Sequence, residues 1–182
     1  MYNTKFIFIT LFHLYFFLTT LSVFAQDSLL SHKSARFEIG PGFGVAGEGG
    51  GFSGRLAFSY LQLNWGGLIR WSGHDGGKGN IGGWFGPPRE KFYDYGILLS
   101  YVPIQGVDYQ IIASAGLGSL YGEQLTDMKY DLEEFGIIGF VYELGIASAG
   151  STLGWSLNIM GNVNSVSILV AFILSLTLGY QK

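Results

Sequence analysis

The sequence of 182 residues contains no cysteine and few charged residues. The absence of cysteine excludes disulfides, thiolate metal sites, cysteine nucleophiles and a lipid-modified cysteine. Charged residues make up 13% of the chain, about half of the ~25% found in soluble domains. So few charges make a poor surface against water, but they suffice for a surface against lipid. The net charge of -3 and the lack of a basic stripe argue against nucleic-acid binding.

The chain is instead rich in glycine and aromatic residues, and bulky and small side chains alternate along it with a period of two. In the segment Phe37-Glu38-Ile39-Gly40-Pro41-Gly42-Phe43-Gly44-Val45, large apolar residues or proline alternate with glycine or glutamate. A period of two predicts strands with two different faces. Because the second face consists of small residues, not the Lys and Glu of a soluble sheet, the pattern indicates a barrel whose bulky side faces lipid.

The N-terminus has the features of a secretory signal peptide over residues 1–25. Lys5 precedes the apolar run from Phe6 to Leu21, and Ala25 is suited to cleavage before Gln26. The alternative is a retained membrane anchor, since the run is nearly as long as the ~20 residues of a spanning helix. We expect residues 26–34 to form a periplasmic lead-in and residues 35–182 to form the barrel.

Turn-like segments divide the remainder into eight alternating stretches. The predicted strands are 35–46, 53–61, 63–72, 92–103, 108–120, 136–148, 152–161 and 166–180. An even number of strands of ~10 residues each matches a membrane barrel. The sequence therefore predicts an all-β, eight-stranded, antiparallel, up-and-down transmembrane β-barrel. Its long loops, 73–91 and 122–134, would face outside, and most of its short turns would face the periplasm.

The rival fold is a soluble eight-stranded barrel with its apolar face inside. The interior of such a barrel is just wide enough for side chains to fill, and the bulky set here is too large for it. With the small face inward, six charged residues point into the lumen, and we expect them to form a balanced ion-pair network. They are Arg36, Glu38, Arg55, Arg70, Asp94 and Glu143. Structural filling and a gated ion path are both open as roles for this network.

Aromatic residues near the predicted strand ends suggest the two girdles of a membrane barrel. Those expected near the periplasmic interface are Phe37, Tyr60, Trp65, Tyr101, Tyr109 and Tyr180. Those expected near the outer interface are Trp71, Tyr93 and Tyr121.

With its signal peptide, strand count and alternation, the chain resembles the small outer-membrane barrels of Gram-negative bacteria, including the OmpA transmembrane domain and OmpX. The resemblance implies an outer-membrane location, contact with the lipid bilayer and lipopolysaccharide, insertion by the barrel assembly machinery, and a monomer. Such barrels usually end on an aromatic residue within the assembly signal. This chain ends Leu178-Gly179-Tyr180-Gln181-Lys182, so Tyr180 would serve from a position displaced by two residues.

Some barrels of this class are lipid-modifying enzymes or proteases. The lipid A deacylases among them carry a His-x-Ser pair, which this chain lacks. Histidine catalysis would have to use His74, in the loop after strand three, with Ser72 at the end of that strand or Asp75 in the loop. No metal motif is present, and Gly42 to Gly47 matches a dinucleotide fingerprint without the helix that would have to follow it. The sequence predicts no cofactor.

We therefore expect a non-enzymatic barrel with a structural or surface-interaction role, in which loops 73–91 and 122–134 make the contacts. The alternatives are a lipid-modifying outer-membrane enzyme that uses His74, a small passive pore, and a soluble or periplasmic ligand-binding barrel.

Overall fold

The computed structural model describes residues 33–46, 49–77, 90–125, 132–149 and 152–181. All of them belong to one compact unit within residues 31–182. The predicted signal peptide, 1–25, and most of the predicted lead-in lie outside the described residues. The described residues form eight strands: β1 (Lys33–Ala46), β2 (Gly49–Gln62), β3 (Trp65–Gly77), β4 (Glu90–Gln105), β5 (Tyr109–Leu125), β6 (Leu132–Ser148), β7 (Leu153–Val163) and β8 (Ile168–Gln181). They contain no helix with the length and apolar character of a membrane span.

Each strand pairs antiparallel with the next, and β8 pairs with β1, so the sheet closes into a barrel. This confirms the predicted eight-stranded up-and-down topology. Closure pairs the main chain within the sheet, which a strand needs in order to cross lipid. We call the end that holds Lys33 and Gln181 the proximal end, and the opposite end the distal end.

The two faces of the sheet follow the alternation in the sequence. Along β4, side chains alternate between buried and exposed from Glu90 to Ser100. Ile97 on β4 and its neighbour Leu117 on β5 point outward and are 71% and 69% exposed. Between such residues, Asp94 and Leu98 point inward and are buried. The bulky apolar face is therefore on the outside, which confirms the transmembrane barrel over the soluble one.

The turn between β2 and β3 differs from the prediction. The predicted third strand began at residue 63, but β2 extends to Gln62 and β3 begins at Trp65. Leu63 has a φ of 58°, in the left-handed region that ends an extended strand. Leu63 and Asn64 therefore make a tight proximal turn, although Leu63 is apolar and fits the alternating pattern.

At the distal end the strands are longer than predicted. β3 continues to Gly77, β4 begins at Glu90, β5 continues to Leu125 and β6 begins at Leu132. The predicted loops 73–91 and 122–134 were therefore too long. Alternation between apolar and small residues is required only where a strand crosses lipid. Beyond the bilayer both faces can meet water, so glycine and charged residues continue the strands without a recognisable pattern.

Candidate functional site: the lumen and the distal hairpin

The centre of the lumen holds a chain of buried ion pairs. Arg55 lies between two carboxylates, with Nη1 2.8 Å from Glu38 Oε2 and Nη2 2.5 Å from Glu143 Oε1. Glu143 is shared, because its Oε2 is also 3.4 Å from Nη1 of Arg70. All four side chains point inward from different strands and are at most 7% exposed. The charges thus connect β1, β2, β3 and β6 across the barrel.

Among these ion-paired residues, Arg70 makes the largest number of contacts. Its Nε and Nη2 donate to Asp94 Oδ2 at 2.9 and 2.6 Å. Its Nη1 and Nη2 also donate to the main-chain carbonyls of Tyr142 and Gly161, at 2.9 and 3.0 Å. Tyr142 and Gly161 are paired residues of β6 and β7. Arg70 therefore connects its own side of the barrel to the opposite wall.

Polar side chains of β7 and the turn after it extend the network. Glu38 accepts hydrogen bonds from Ser156 Oγ at 2.7 Å and Asn158 Nδ2 at 3.4 Å. Asp94 accepts from Asn162 Nδ2 at 2.6 Å. Asn162 in turn accepts from Asn164, whose Oδ1 accepts from the main-chain N–H groups of residues 166 and 167. Hydrogen bonds thus run from the β7–β8 turn deep into the lumen.

Arg36, the sixth predicted lumen charge, lies apart from this chain. It is buried, and no carboxylate of the described residues lies within ion-pair distance of it. With the Gln110 amide oxygen turned toward it, the guanidinium donates to that oxygen. The structure therefore places all six charges inside and joins five of them in one network.

Toward the distal end the lumen also holds apolar side chains. Ala46, Phe92, Leu120 and Leu169 form a buried cluster against which Phe135 and Ile137 pack. The prediction of a lumen of small residues and charges missed this cluster. A signal was available, because Phe92 stands two positions from the inward-facing Asp94. Two further buried clusters line the lumen: Ala57, Leu68, Leu98 and Val141, and Met160, Ala171 and Ile173.

Side chains fill the lumen closely. A methyl group added at Gly118 would lie 2.6 Å from Val141 Cγ1, and one at Gly139 would lie 2.2 Å from Asn162 Oδ1. A methyl carbon cannot come this close to a carbon or an oxygen atom without displacing it. Glycine at these positions therefore makes room for the inward side chains of adjacent strands. The charged network and the distal apolar cluster therefore follow one another along the lumen.

The candidate catalytic residues do not form a triad. All three lie on β3 and not in a loop, and Asp75 is on the opposite face of the strand from Ser72 and His74. His74 Nδ1 is 2.9 Å from Ser53 Oγ, on the neighbouring strand. Ser72 Oγ instead donates to Asp94 Oδ2 at 3.4 Å. The serine that contacts His74 is therefore Ser53 of the neighbouring strand and not the candidate Ser72.

This Ser53–His74 pair has the distance of a nucleophile and base but lacks other parts of a catalytic site. Both side chains are buried, and His74 Nε2 has no hydrogen-bond partner among the described residues. A catalytic base is normally oriented by a third group. The geometry fits a hydrogen bond that holds β2 to β3 beside the ring of Phe92, whose centroid is 6.1 Å from that of His74.

Most of the predicted girdle aromatics lie on the outside of the barrel. Six of them are exposed: Phe37, Tyr60, Trp65, Tyr93, Tyr109 and Tyr121. Trp71 is half-buried and stacks on Tyr93, with ring centroids 6.4 Å apart. Tyr101 differs from the expectation, because it is buried with its ring 4.6 Å from that of Trp65. The side chain of Tyr180 lies outside the described part of the structure.

Among the described residues, the longest strand pair extends beyond its neighbours at the distal end. β5 and β6 have 17 residues each and pair from Tyr109↔Ser148 to Leu125↔Leu132. β6 pairs with β7 only from Phe140↔Val163 inward. We call the part of this pair formed by residues 118–125 and 132–139 the distal hairpin.

The distal hairpin carries acidic residues. Glu123 and Glu134 are cross-strand neighbours, and Tyr121 Oη donates to Glu134 Oε2 at 3.1 Å. Glu133 is exposed beside them. Lys91 of β4 is the cross-strand neighbour of Glu123 on its other side. No group of three or more His, Asp or Glu residues in the described segments has the geometry of a metal site.

Neither the models of known protein families nor the sequences of curated proteins match this chain. Solved structures do. Ail of Yersinia pestis, in complex with the heparin analogue sucrose octasulfate, is 11% identical with a TM-score of 0.59, covering 83% of this chain and 100% of Ail. Neisserial surface protein A is 13% identical with a TM-score of 0.57, covering 84% and 99% of the two chains. The N-terminal barrel of Pseudomonas aeruginosa OprF is 10% identical with a TM-score of 0.56, covering 81% and 97%.

At such identities the likeness concerns the fold. The compared proteins are matched over almost their whole length, and the matches cover 81–84% of this chain. Strand number, closure and an outward apolar face agree with that match. The chain is a transmembrane β-barrel with the eight-stranded fold of the small outer-membrane proteins of OmpA and OmpX type.

Proposed function

We propose that this protein is a non-conducting, non-enzymatic barrel of the Gram-negative outer membrane that makes contacts at the cell surface through its distal end. The observation that carries the proposal is the filled lumen. The ion network from Glu38 to Asp94 and the apolar cluster around Phe92 and Leu120 occupy the interior in succession. Contact with a partner outside the membrane is then left to the distal end, where β5 and β6 extend furthest.

The surrounding chemistry supports the same role. The Ser53–His74 pair is buried and lacks an orienting group, which argues against the enzyme alternative.

Cleavage of the signal peptide before Gln26 would deliver the chain to the periplasm, where the barrel assembly machinery inserts it. Its apolar exterior would then contact the bilayer and lipopolysaccharide as a monomer. The distal end would face the medium.

The first test establishes location and orientation. Because the chain has no cysteine, a single introduced cysteine reports on one position. Glu133→Cys, on the distal hairpin, should react with a membrane-impermeant maleimide in intact cells. Val107→Cys, in a proximal turn where Val107 is 91% exposed, should react only after the cells are permeabilised. Equal labelling of both in intact cells, or recovery of the protein in the soluble fraction, would contradict the proposal.

The second test concerns function. Cells that express the Glu133→Cys barrel should attach to a protein-coated surface better than cells with an empty vector. Modification with a large polyethylene-glycol maleimide should remove that gain, because the polymer covers the distal hairpin. Cells that carry Val107→Cys are the matched control and should keep the gain in attachment after the same modification. If expression adds no attachment to any protein-coated surface, a surface-interaction role is wrong.

A further inference from the structure

Arg36 is the one member of the predicted set of six lumen charges that lacks an ion-pair partner among the described residues. Each of the other five has an opposite charge within 3.4 Å. Arg36 is as deeply buried as they are, at 6% exposure, so water does not take the place of a counter-charge. A buried charge without its counter-charge is costly. The Arg36 guanidinium therefore has favourable interaction energy to gain from an anion.

The group that faces Arg36 is neutral. With its amide turned, the Gln110 oxygen accepts from Arg36 Nη1 at 3.1 Å and also from Nη2. Arg36 is on β1 and Gln110 is on β5, four strands apart in either direction, so this contact crosses the lumen. An amide offers one oxygen to the guanidinium, whereas a carboxylate or phosphate offers two oxygens that match its fork. An anion is therefore the better acceptor and can displace Gln110.

The surroundings of Arg36 suit an anion that enters from the proximal end. Ser34 lies between Arg36 and the proximal end of β1, and Ser59 is the cross-strand neighbour of Arg36 on β2. Both serines are buried on the inner face, and their hydroxyl groups can donate to an anion. Deeper in the lumen, the five-charge network holds two guanidiniums and three carboxylates. Its excess of negative charge repels an anion and sets the inner limit of the site.

We propose that Arg36 forms an anion site at the proximal end of the lumen, which binds a phosphoryl group in place of the Gln110 oxygen. A phosphoryl group has three strong acceptor oxygens, enough for the guanidinium fork and the hydroxyl groups of Ser34 and Ser59. Inorganic phosphate and the headgroup of a phospholipid share this chemistry. The proposed function enters only in assigning the proximal end to the periplasm, and binding itself does not depend on it.

Two substitutions at Gln110 should act in opposite directions. Gln110→Ala removes the competing oxygen and should tighten anion binding. Gln110→Glu supplies a permanent carboxylate to Arg36 and should prevent it. A residue with a merely structural role would weaken binding in both variants. Lys33→Met is the matched control for charge, because Lys33 is an exposed cation on the same strand.

Binding is measured by titration calorimetry on the purified barrel in phosphate-free maltoside micelles. The probe is inorganic phosphate at constant ionic strength, and heat-dependent gel mobility shows that each variant is folded. We expect Gln110→Ala to bind severalfold more tightly than wild type and Lys33→Met to bind equally. Arg36→Met and Gln110→Glu should weaken binding about tenfold or more. Arg36→Lys should bind more weakly than wild type, because it keeps the charge and loses the fork.

The same titration in phospholipid nanodiscs identifies the source of the phosphoryl group. An affinity equal to that in micelles supports free phosphate as the ligand. Loss of phosphate binding in nanodiscs, with recovery in micelles, supports a lipid headgroup that already occupies the site.

Three outcomes would overturn the proposal. The first is an absence of phosphate binding in both wild type and Gln110→Ala. The second is an equal affinity of wild type and Arg36→Met, which would place any bound phosphate elsewhere. The third is an equal affinity for chloride and phosphate, which would show that the guanidinium fork is not used. Because the assay uses purified protein, failure of the labelling or attachment tests would leave its result intact.

Discussion

Arg70 and Asp94 form the most deeply buried ion pair of the described residues, with Nη2 2.6 Å from Oδ2 and no exposed surface on either side chain. Two charges removed from water are retained only when hydrogen bonds satisfy their remaining groups. Here Asn162 donates to Asp94, and two main-chain carbonyls accept from Arg70. The pair therefore has the partners that a buried pair requires.

Removing one member of this pair should destabilise the barrel strongly. Arg70→Met leaves Asp94 buried without its counter-charge, and we expect the free energy of unfolding to fall by about 3–5 kcal/mol. Adding Asp94→Asn should recover part of the loss. Urea unfolding in lipid vesicles measures both, and Lys33→Met, at an exposed position, is the control. A loss in Arg70→Met no larger than that of the control would show that the pair contributes little.

A charged residue on the outer face should lower the free energy of unfolding only where that face lies within the bilayer. Ile97 is outward-facing near the middle of β4, so Ile97→Lys should lower the free energy of unfolding by about 2–4 kcal/mol. Val107, which lies in a proximal turn and is 91% exposed, provides the comparison. Val107→Lys should change the free energy of unfolding little. Both are measured by urea unfolding in vesicles. Equal effects of the two substitutions would place Ile97 outside the apolar part of the membrane.

We expect the charged network and the distal apolar cluster to act as two barriers in series. The wild-type barrel in a planar bilayer should give no current steps. Phe92→Ala alone and Arg55→Ala alone should also remain silent, because each leaves the other barrier in place. The double variant should give steps, provided that gel mobility shows it folded. Steps from the wild type would support the pore alternative instead.

The hydrogen bond between Ser53 and His74 should contribute to stability and not to catalysis. Ser53→Ala should lower the free energy of unfolding by about 1 kcal/mol, the usual contribution of one hydrogen bond. His74→Ala should leave the lipid A profile and phospholipid release of expressing cells unchanged. A fluorophosphonate probe that labels wild type but not Ser53→Ala would show a reactive serine and revive the enzyme alternative.

The part of the fold inside the membrane could be predicted from the sequence, because lipid imposes a strict rule there. Alternation from Phe37 to Val45 is visible since every outward residue must be apolar and every inward one must fit the lumen. The same rule predicts from the alternation alone that Asp94 and Glu143 lie on the inner face. Partners such as Asn162 carried no comparable signal, because their contacts come from strands distant in the chain.

The distal end could not be predicted in the same way. Glu123 and Glu134 read as loop residues, since a strand in water needs no apolar face. Only the register shows that these two glutamates are cross-strand neighbours. Likewise, the actual partner of His74 is on the neighbouring strand, 21 residues away. Proximity in sequence therefore suggested Ser72 as the partner of His74, whereas the pairing of strands brings Ser53 to it.

The lumen contacts also affect how long the folded state lasts. Arg55 and Glu143 are 88 residues apart, and Ser156 and Glu38 are 118 apart. Contacts of this kind join strands that are not neighbours in sequence, so we expect them to form late, as the barrel closes. Interactions that are absent when the rate-limiting step of folding is crossed act mainly by slowing the reverse reaction. The network should therefore prolong the lifetime of the closed barrel far more than it hastens assembly.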